Sequence, residues 1–473
     1  MKKKIFNVAL ISFIVLFFLY PLRYGLPTTT KTIITLITVF LILKYVWPKI
    51  KKVIKINEKY YLFIIIVLFL MTRIVSLIVL KDNIIQISDF DAALNVAKNM
   101  DFGTLYYRNF VHWIFMPVIH HYLLEIFGIT QTTIMAFNIF ITLGITIGIY
   151  KVTQELTKDN NTSFIAALIY TIWPANIIYI GINTPEHIGS LLLVIGAYFI
   201  LKIFDIKVIE KGIIYSLIIG ILLGISVFFK NFALVFIIAF IIYVFMYFMK
   251  NKFKLKELRD FLVYILTIFL TYSTVTTGMY NIADRLVGEE VNRSIAPCYM
   301  LVGLHSTSEG NYNVDLYKEY FDTIEEYGYE KGNKIILKKL AKDIKNNDRF
   351  IDLLDKKAIS LHSNDVRVNW VEISAVSNNS NAFADFLRNT YDKHNYYFFT
   401  NIILFMVISL IALIKKKDLK LLFISLIIFG ATLMLMLVES QSRYTYAILP
   451  FYTILASVGL TEYNKITISK KNT

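Results

Sequence analysis

Cysteine is nearly absent from this chain of 473 residues, which contains only Cys298. A single cysteine excludes an internal disulfide, so any segment outside a membrane must be held by packing alone. The chain also lacks an internal repeat of about 20–50 residues, which excludes solenoid and propeller folds. No small-residue cleavage site follows the first hydrophobic run, only Tyr20-Pro-Leu-Arg. That run is therefore predicted to be a retained membrane span and not a cleaved signal peptide.

The one large hydrophilic segment, residues 281–395, lacks the motifs of familiar soluble enzymes. It contains no metal-ligand cluster, no nucleophile elbow and no phosphate-binding loop. Its 15 basic and 18 acidic residues leave it close to neutral. Charges at three- and four-residue spacing, in 317–329 and 334–357, are typical of short solvated helices. The segment is predicted to be a small, mainly helical external domain.

Hydrophobic residues dominate what is present. They make up 56% of the chain against 18% charged residues, and the mean hydropathy is +0.59. These values predict an all-α polytopic membrane protein. Runs of about 20 residues, long enough to cross a bilayer, predict about twelve transmembrane helices. They fall at 5–22, 30–48, 60–80, 133–152, 163–181, 184–204, 212–229, 232–249, 259–280, 396–414, 420–438 and 443–462.

The net charge of +15 is explained by its distribution along the chain. With the N-terminus inside, the short inner loops hold 26 Lys and Arg residues and the short outer loops hold 7. This is the positive-inside asymmetry of membrane proteins, so nucleic acid is excluded as a partner. Both termini are predicted to be cytoplasmic, in a multi-pass protein of the cell membrane whose segment 281–395 is extracellular.

The spans divide the chain into four parts. Residues 1–59 hold two transmembrane helices and a basic cytoplasmic loop, and residues 60–280 form the transmembrane core with an outer loop, 81–132. Residues 281–395 form the external domain, and residues 396–473 hold three transmembrane helices and a cytoplasmic tail. Within the outer loop, the apolar run Phe110–Gly128 is interrupted by polar groups such as His112. It predicts an interfacial helix, because a crossing helix would place the later Lys-rich loops outside.

Two carboxylates, Asp89 and Asp91, stand where the third span leaves the membrane, in IIQISDFDAALNVAKNM. Ser88-Asp89-Phe90-Asp91 has the form of a capping box, with Ser88 as the N-cap, and this structural reading accounts better for Asp91 than for Asp89. The functional reading makes both acids catalytic candidates, with one removing a proton from an acceptor hydroxyl. A carboxylate at a dry boundary has a raised pKa, which suits a general base.

Basic residues at or near the same membrane face are candidates for binding a phosphate. Lys230 is the only basic residue on its outer turn, against the orientation rule, and a lysine reaching to water is the structural alternative. Arg73 lies inside the third span, where a charge is costly. It is predicted to form an ion pair with Glu186 or Glu439, or to bind the phosphate of a lipid carrier.

Two further outer turns add candidates. In VESQSRYTYAILP, Glu439 and Arg443 are four residues apart, which predicts either a salt bridge or an arginine directed onto a phosphate by Glu439 and Tyr444. The turn NTPEH adds Glu186 and His187. With His112, these residues are candidate substrate contacts. Charges gathered at one face suit a reaction between a polar acceptor and an anionic lipid, whereas a transport path needs them near the midplane.

Three segments together resemble the GT-C glycosyltransferases, the integral-membrane enzymes typified by protein O-mannosyltransferases and lipid A aminoarabinose transferases. SDF with MPVIHHYLLEIFG resembles their first outer loop, WPANIIYIGINTPEH their P…T-x-E turn, and ESQSRYTYAILP their E…RY…P segment. The similarity covers roughly residues 60–250 and 396–462. VGLHSTSEGNYNVDL, in the external domain, is similar to a segment of relatives from low-GC Gram-positive bacteria, which indicates a bacterial source.

The resemblance implies a helical bundle with interfacial helices in the first loop, an outward-facing active site and a polyprenyl-phosphate-sugar donor. It places the base role on Asp89. Mannosyltransferases have adjacent Asp-Glu acids, whereas here Phe90 follows Asp89, so the role of Asp91 and the need for a divalent cation stay open. No other cofactor and no resident metal are implied.

The sequence thus predicts an inverting transfer of a sugar to a hydroxyl of a glycan, lipid or protein acceptor, among membrane lipids. Asp89 is the general base, and Lys230, Arg443 and Arg73 bind the donor phosphate. Two alternatives remain open at this point. One is a polymerase or ligase that uses a lipid-pyrophosphate donor, and the other is a transporter or flippase of lipid-linked sugars.

Overall fold

The computed structural model describes residues 57–469 apart from 104, 129 and 251–254, together with residues 19, 23–26, 37 and 41. From residue 463 onward only the backbone is described. The two N-terminal spans predicted at 5–22 and 30–48 lie outside the described residues. Throughout the described part the secondary structure is helical and contains no strand, which confirms the predicted all-α class.

Nineteen α-helices follow one another in the part of the chain that is described. They are α1 (Tyr61–Leu80), α2 (Ser88–Asn99), α3 (Leu105–Asn109), α4 (Phe115–Phe127), α5 (Gln131–Thr157), α6 (Asn160–Ile172), α7 (Pro174–Ile178), α8 (Glu186–Ile203), α9 (Ile209–Ser226), α10 (Ala233–Lys250), α11 (Leu255–Val287), α12 (Ala296–Leu304), α13 (Val314–Asn346), α14 (Phe350–His362), α15 (Arg367–Ser377), α16 (Asn381–Phe386), α17 (Asp392–Lys416), α18 (Leu419–Leu437) and α19 (Leu449–Ser469). Short 3₁₀ turns include Val111–Trp113, Tyr179–Gly181 and Ser442–Ile448.

Nine of the described helices are long and apolar enough to cross a membrane, and one bent pair raises the number to ten. These ten coincide with the ten spans predicted from residue 60 onward. The chain is therefore a multi-pass membrane protein. The total of twelve is not confirmed, because the first two predicted spans lie outside the described residues.

The bent pair replaces the single straight span predicted at 163–181. Helices α6 and α7 meet at an angle of 62°. Pro174 opens α7, and Trp173 before it is extended, with φ −62° and ψ 118°. A proline cannot continue the hydrogen-bond ladder and excludes the helical conformation of the residue before it. The bend brings the turn after α7 next to α2, where the Gln86 amide donates to the carbonyl of Gly181 at 2.9 Å.

The loop 81–132 is helical, and none of its described helices is long enough to span a membrane, which fits the predicted interfacial arrangement. The apolar run from Phe110 forms a 3₁₀ turn and then the 13-residue helix α4, which is too short to be among the described helices that could span a membrane. Helices α2 and α4 pack together, and the Nδ1 of His121 lies 2.9 Å from the carbonyl oxygen of Ala97. This packing holds α2 against α4.

The spans pack closely where small residues allow it. Helix α9 runs along α11, and a Cβ added at Gly220 would lie 2.6 Å from the Cβ of Thr271 and 2.9 Å from the carbonyl oxygen of Ile268. Only glycine permits that approach of two backbones, as is common between membrane helices.

Ionic groups gather at both ends of the bundle. At one end the Nζ of Lys202 lies 2.7 Å from Glu155, and the Nζ of Lys420 lies 2.7 Å from Asp205. These residues belong to loops predicted to be cytoplasmic. Helices α8 and α18 run from this end to the other, where Glu186 begins α8 and where Glu439 follows α18. The candidate site residues at these helix ends therefore lie opposite the Lys-rich end.

Residues 281–395 are mainly helical, as predicted, and they pack against the outer loop and the turn after α18. The backbone N–H of Asn292 donates to the carbonyl of Arg108 at 2.8 Å. The N–H of Glu439 donates to the carbonyl of Tyr299 at 3.0 Å, and that of Ser440 to Gly310 at 2.8 Å. The segment thus covers the end of the bundle that carries the candidate residues.

Candidate active site

Asp89 stands in the first turn of α2, and the capping box predicted around it is wrong. The N-cap position is Ile87, and it makes no side-chain cap. Ser88 has a φ of 53°, a left-handed conformation that is uncommon for serine. Such strain is found at functional sites more often than elsewhere. The carboxylate of Asp91 accepts a hydrogen bond from the amide of Asn95 at 3.0 Å, one turn further along α2.

A buried amide network fixes α2 against the predicted turn NTPEH. The Oε1 of Gln86 accepts the backbone N–H of Asn183 at 2.8 Å. In turn, the amide of Asn183 donates to the carbonyl of Phe90 at 3.3 Å. Both side chains are almost completely buried. The network therefore places Asp89 beside the start of α8.

Lys230 is paired and does not reach out to water. Its Nζ lies 3.3 Å from the Oε1 of Glu186, and the two side chains are 17% and 7% exposed. Burial lowers the pKa of Lys230 from its usual value, an effect opposed by Glu186 and increased by Arg443. The ammonium also lies 4.3 Å from the centre of the Tyr444 ring, within the range of a cation–π contact. The reading of Lys230 as an ordinary turn lysine is wrong.

Gly189 allows this pairing, because the Lys230 turn packs directly on it. A Cβ at Gly189 would lie 2.8 Å from the Cβ of Lys230 and 3.2 Å from its backbone nitrogen. A Gly189→Ala variant is expected to push the Lys230 turn away from α8 and to destabilise the fold by about 1–3 kcal/mol. Thermal unfolding of the purified protein measures the effect.

The matched control for that variant is Gly196→Ala, on the same helix. A Cβ at Gly196 would meet only Leu223, at the ordinary distance of 3.7 Å. The midpoint of thermal unfolding of Gly196→Ala is expected to stay unchanged or to rise slightly, because alanine favours a helix more than glycine does. Equal midpoints for the two variants would contradict the close approach at Gly189.

Arg443 lies between Asp89 and Tyr444, the ring that Lys230 contacts. Its guanidinium lies 3.9 Å from the Oδ2 of Asp89, and the side chains are 9% and 35% exposed. The guanidinium also lies 4.4 Å from the centre of the Trp370 ring and 5.3 Å from that of Phe90. The more exposed partner, Asp89, is the acid that a substrate can reach.

The salt bridge predicted between Glu439 and Arg443 does not form. Glu439 is 1% exposed, and its carboxylate accepts from three neutral donors. Tyr317 donates to Oε2 at 2.5 Å, and Gln441 and Tyr444 donate to Oε1 at 2.8 and 3.0 Å. Glu439 therefore fixes Tyr444, the ring that Lys230 covers.

The structure brings five of the predicted residues into one chain of contacts at one end of the bundle. The chain runs from Asp89 to Arg443, to the neighbouring Tyr444, to Lys230 and to Glu186. Glu439 joins it through the Tyr444 hydroxyl. These residues come from α2, the start of α8, the turn after α9, the turn after α18 and the 3₁₀ turn before α19.

His112 lies at the edge of this chain of contacts, half-buried between the rings of Phe110 and Trp113. Burial lowers its pKa to about 3, and the nearby cations of Lys230 and Arg443 add to the effect. The imidazole is therefore neutral and a weak base at physiological pH.

His187 and Arg73 have other partners. The Nδ1 of His187 lies 2.6 Å from the hydroxyl of Tyr446, deep in the bundle. Arg73 donates to the carbonyl of Thr171 at 2.7 Å, and its side chain is completely buried. The ion pair predicted for Arg73 with Glu186 or Glu439 does not form. The guanidinium lies 4.5 Å from the centre of the Phe69 ring, and its Nε and one Nη have no hydrogen-bond partner among the described residues.

Several buried polar atoms around the contact chain also have no hydrogen-bond partner within the described part of the chain. They are the Oε2 of Glu186, the Nε of Arg443, the hydroxyl of Tyr179 and the Oδ1 of Asn183. Arg443 lies within electrostatic range of both Tyr179 and Glu186. Buried polar groups are nearly always satisfied in folded proteins, so such a cluster favours a polar ligand or ordered water here.

Sequence reasoning missed the aromatic and polar residues that support the site. Trp370 and Tyr317, both in the segment 281–395, contact Arg443 and Glu439. Tyr106, in the loop 81–132, lies beside Asp89; burial, with the Asp89 charge adding to it, raises the pKa of Tyr106. No spacing in the sequence marks the contacts of Trp370 and Tyr317, because each joins segments far apart in the chain.

No group of three or more His, Cys, Asp or Glu side chains able to hold a metal ion is present among the described residues. The divalent cation that the sequence left open stays a prediction.

Residues 112–277 match the family model described as "Dolichyl-phosphate-mannose-protein mannosyltransferase". The match includes His112, Glu186, His187 and Lys230, and it ends before Arg443. It confirms the resemblance to GT-C glycosyltransferases that the three sequence segments predicted. No curated protein matches this chain in sequence.

Two solved structures are similar to this chain at low sequence identity. The archaeal oligosaccharyltransferase AglB from Archaeoglobus fulgidus, in complex with an inhibitory peptide and a dolichol-phosphate, is 13% identical with a TM-score of 0.49. The match covers 88% of this chain and 51% of AglB, so this chain spans about half the length of AglB. ArnT from Cupriavidus metallidurans, bound to undecaprenyl phosphate, is 10% identical with a TM-score of 0.38, covering 84% of this chain and 77% of ArnT. These likenesses are too distant to assign a site residue or a substrate.

Proposed function

We propose that this chain, whose central residues match a mannosyltransferase family, is a glycosyltransferase that moves a sugar from a polyprenyl-phosphate carrier to an acceptor hydroxyl. The observation that carries the proposal is the contact between an accessible carboxylate, Asp89, and a nearly buried guanidinium, Arg443, at 3.9 Å. A second cation, Lys230, has its ammonium 4.3 Å from the centre of the Tyr444 ring. One base beside two fixed cations suits a reaction that removes a proton and releases a phosphate.

The reaction is a direct displacement. The carboxylate of Asp89 accepts the proton of the acceptor hydroxyl, whose oxygen forms a bond to the anomeric carbon of the donor sugar. The bond from that carbon to the phosphate oxygen breaks, and the polyprenyl phosphate leaves with the electron pair. Attack from the face opposite to the leaving group inverts the anomeric configuration.

The cations act where negative charge develops. The leaving phosphate gains one negative charge as its bond to the sugar breaks, and Arg443 and Lys230 are held in place to meet it. Charged groups fixed before the reaction stabilise a transition state without the cost of reorganising solvent. The oxygens of Glu186 and Asn183 that have no hydrogen-bond partner among the described residues are suited to hydrogen bonds with sugar hydroxyls.

Donor chemistry tests this function. The purified protein is incubated, with membrane extract as the source of acceptors, with undecaprenyl-phosphate hexoses and pentoses and with the matching undecaprenyl-pyrophosphate sugars. Release of undecaprenyl phosphate, measured by mass spectrometry, is expected from at least one monophosphate donor, and the anomer of the product gives the stereochemistry.

Each other result of this assay contradicts the proposal in a different way. Consumption of pyrophosphate donors alone would identify the polymerase or ligase alternative. Movement of a lipid-linked sugar across vesicles with no covalent transfer would identify a flippase. Retention of the donor's anomeric configuration would exclude direct displacement with Asp89 as the base.

A further inference from the structure

Two aromatic residues of the segment 281–395 are linked to the cations of the proposed site. Trp370 contacts Arg443 directly, and Tyr317 bonds Glu439, which in turn bonds the tyrosine that Lys230 covers. Trp370 lies on α15, and Tyr317 lies near the start of α13. Neither belongs to the transmembrane helices that supply the other groups of the site. The segment is therefore part of the wall of the site.

Trp370 forms a platform for Arg443. The guanidinium lies 4.4 Å from the centre of the Trp370 ring, within cation–π range. The edge of Trp370 meets Phe90, the neighbour of Asp89, with ring centres 5.6 Å apart and planes at 84°. One side chain thus touches both the cation and the turn that carries the carboxylate.

The helix that carries Trp370 is itself anchored in the bundle. Arg367, three residues earlier and completely buried, donates to both oxygens of Asp365 at 2.8 and 2.6 Å. Its guanidinium lies 5.0 Å from the ring centres of both Trp173 and Tyr446. The contacts with Trp173 and Tyr446 tie the start of α15 to the bundle, and the bidentate bond to Asp365 fixes the guanidinium that makes them.

Tyr317 is connected to the second cation, Lys230, through the side chains of Glu439 and Tyr444. Its hydroxyl donates to the Oε2 of Glu439 at 2.5 Å, while the Oε1 of Glu439 accepts the hydroxyl of Tyr444 at 3.0 Å. The ring of Tyr444 then carries the ammonium of Lys230 at 4.3 Å. Without the Tyr317 hydroxyl, one oxygen of a buried carboxylate loses its donor, and Glu439 must turn to find another.

We infer that Trp370 and Tyr317 are positioning residues that hold Arg443 and Lys230 on the phosphate of the lipid donor. The inference rests on the proposed function, and it extends that function by making residues 281–395 a part of the donor phosphate site. Neither aromatic residue touches the reacting atoms. Each acts on the donor through a cation that the transmembrane helices supply.

Binding of undecaprenyl phosphate alone tests the inference without catalysis. The Kd of the full chain in detergent is measured for the wild type and for Trp370→Leu, which is expected to raise it about tenfold, and for Trp370→Phe, which keeps an aromatic face and is expected to raise it less. Tyr317→Phe is expected to raise the Kd about tenfold, because the hydroxyl bonded to a charged group is lost. Tyr312→Phe is the control: it removes a hydroxyl from an exposed tyrosine whose ring centre lies 5.3 Å from that of Tyr317.

A double-variant cycle separates positioning from general support of the fold. If Trp370 acts through Arg443, the Trp370→Leu change raises the Kd much less in an Arg443→Gln background than in the wild type. A residue that only supported the fold would give the same fold-change in both backgrounds. Equal fold-changes, or a Kd for both Trp370→Leu and Tyr317→Phe equal to that of Tyr312→Phe, would overturn the inference.

Turnover assays keep the two proposals apart. In the same variants the KM for the donor is expected to rise with the Kd. Thermal unfolding checks that each variant is folded at the assay temperature, because Tyr317→Phe also leaves a buried carboxylate oxygen without its donor. A wild-type chain that releases no undecaprenyl phosphate from any donor contradicts the proposed function. A wild type that does so, together with unchanged donor KM in Trp370→Leu and Tyr317→Phe, contradicts the positioning role alone.

Discussion

An Asp89→Asn variant is expected to keep its fold and to lose sugar transfer by about 10²–10⁴-fold, the range for removing a general base. The carboxamide has nearly the same shape as the carboxylate, but it cannot accept the proton of the acceptor hydroxyl. Asp89 is 35% exposed, and its contact with Arg443 is long, at 3.9 Å, so little of the folding free energy depends on it. The kcat/KM for release of undecaprenyl phosphate measures the loss, with thermal unfolding as the check on the fold.

Other groups near Asp89 are poorly placed to replace it. Glu186 is paired with Lys230, and Glu439 has both of its oxygens occupied by hydroxyl and amide donors. The imidazole of His112, with its pKa lowered to about 3, is a weak base. Asp89 is therefore the accessible carboxylate that is left beside the cations.

Asp91 provides the direct comparison, because it is the other acid of the same helix turn. Its carboxylate accepts from Asn95 at 3.0 Å, along α2 and not toward Arg443. Asp91→Asn is expected to retain activity within a few-fold of the wild type. A rate near wild type for Asp89→Asn, or an inactive Asp91→Asn beside an active Asp89→Asn, would exclude Asp89 as the base.

The membrane spans could be predicted from the sequence, and so could the location of the candidate residues at one end of the bundle. Apolar runs of bilayer length and Lys-rich inner loops are strong, local signals. Charged residues at the ends of the predicted spans are scarce in such a chain, so the sequence identifies Asp89, Lys230 and Arg443 as candidate site residues. Among the described residues, nine long helices and one bent pair follow the runs predicted from residue 60 onward.

The pairings inside the site could not be predicted, because they depend on geometry that local rules do not contain. Glu439 and Arg443 are four apart, but Gln441 between them is extended and the 3₁₀ turn begins only at Ser442. The i, i+4 rule applies to an α-helix, so the two side chains find different partners. The capping box failed for a similar reason, since the left-handed φ of Ser88 moves it out of the N-cap position.

The contributions of Trp370 and Tyr317 lie further beyond the reach of sequence patterns. Each contact joins the segment 281–395 to a residue of the last outer turn, and no periodicity links positions so far apart. The segment was predicted as a separate external domain because it is hydrophilic and close to neutral. Its helices nevertheless bury aromatic side chains against the loop 81–132, as the 6.1 Å between the ring centres of Tyr317 and Phe110 shows.

The second large effect is expected from Arg443→Gln, which should lower kcat/KM by about 10²–10³-fold, the range for losing one fixed group that stabilises developing charge. Arg443 lies between Asp89 and Tyr444, so its loss removes the cation nearest to the base and leaves Lys230 alone to meet the phosphate. Arg443→Lys keeps the charge but loses the planar contact with Trp370, so it is expected to recover only part of the rate.

The division of the Arg443→Gln effect between kcat and KM identifies the step at which the cation acts. The charge on the phosphate rises as its bond to the sugar breaks, so a cation that meets it binds the transition state more strongly than the donor. We therefore expect kcat to fall by more than KM rises. Arg293→Gln is the control. Arg293 is 46% exposed and forms a surface salt bridge with Asp284, so its loss should leave both kcat and KM unchanged. A rise in KM with kcat intact would show that Arg443 only binds the donor, and the stabilisation of the leaving phosphate would then rest on Lys230.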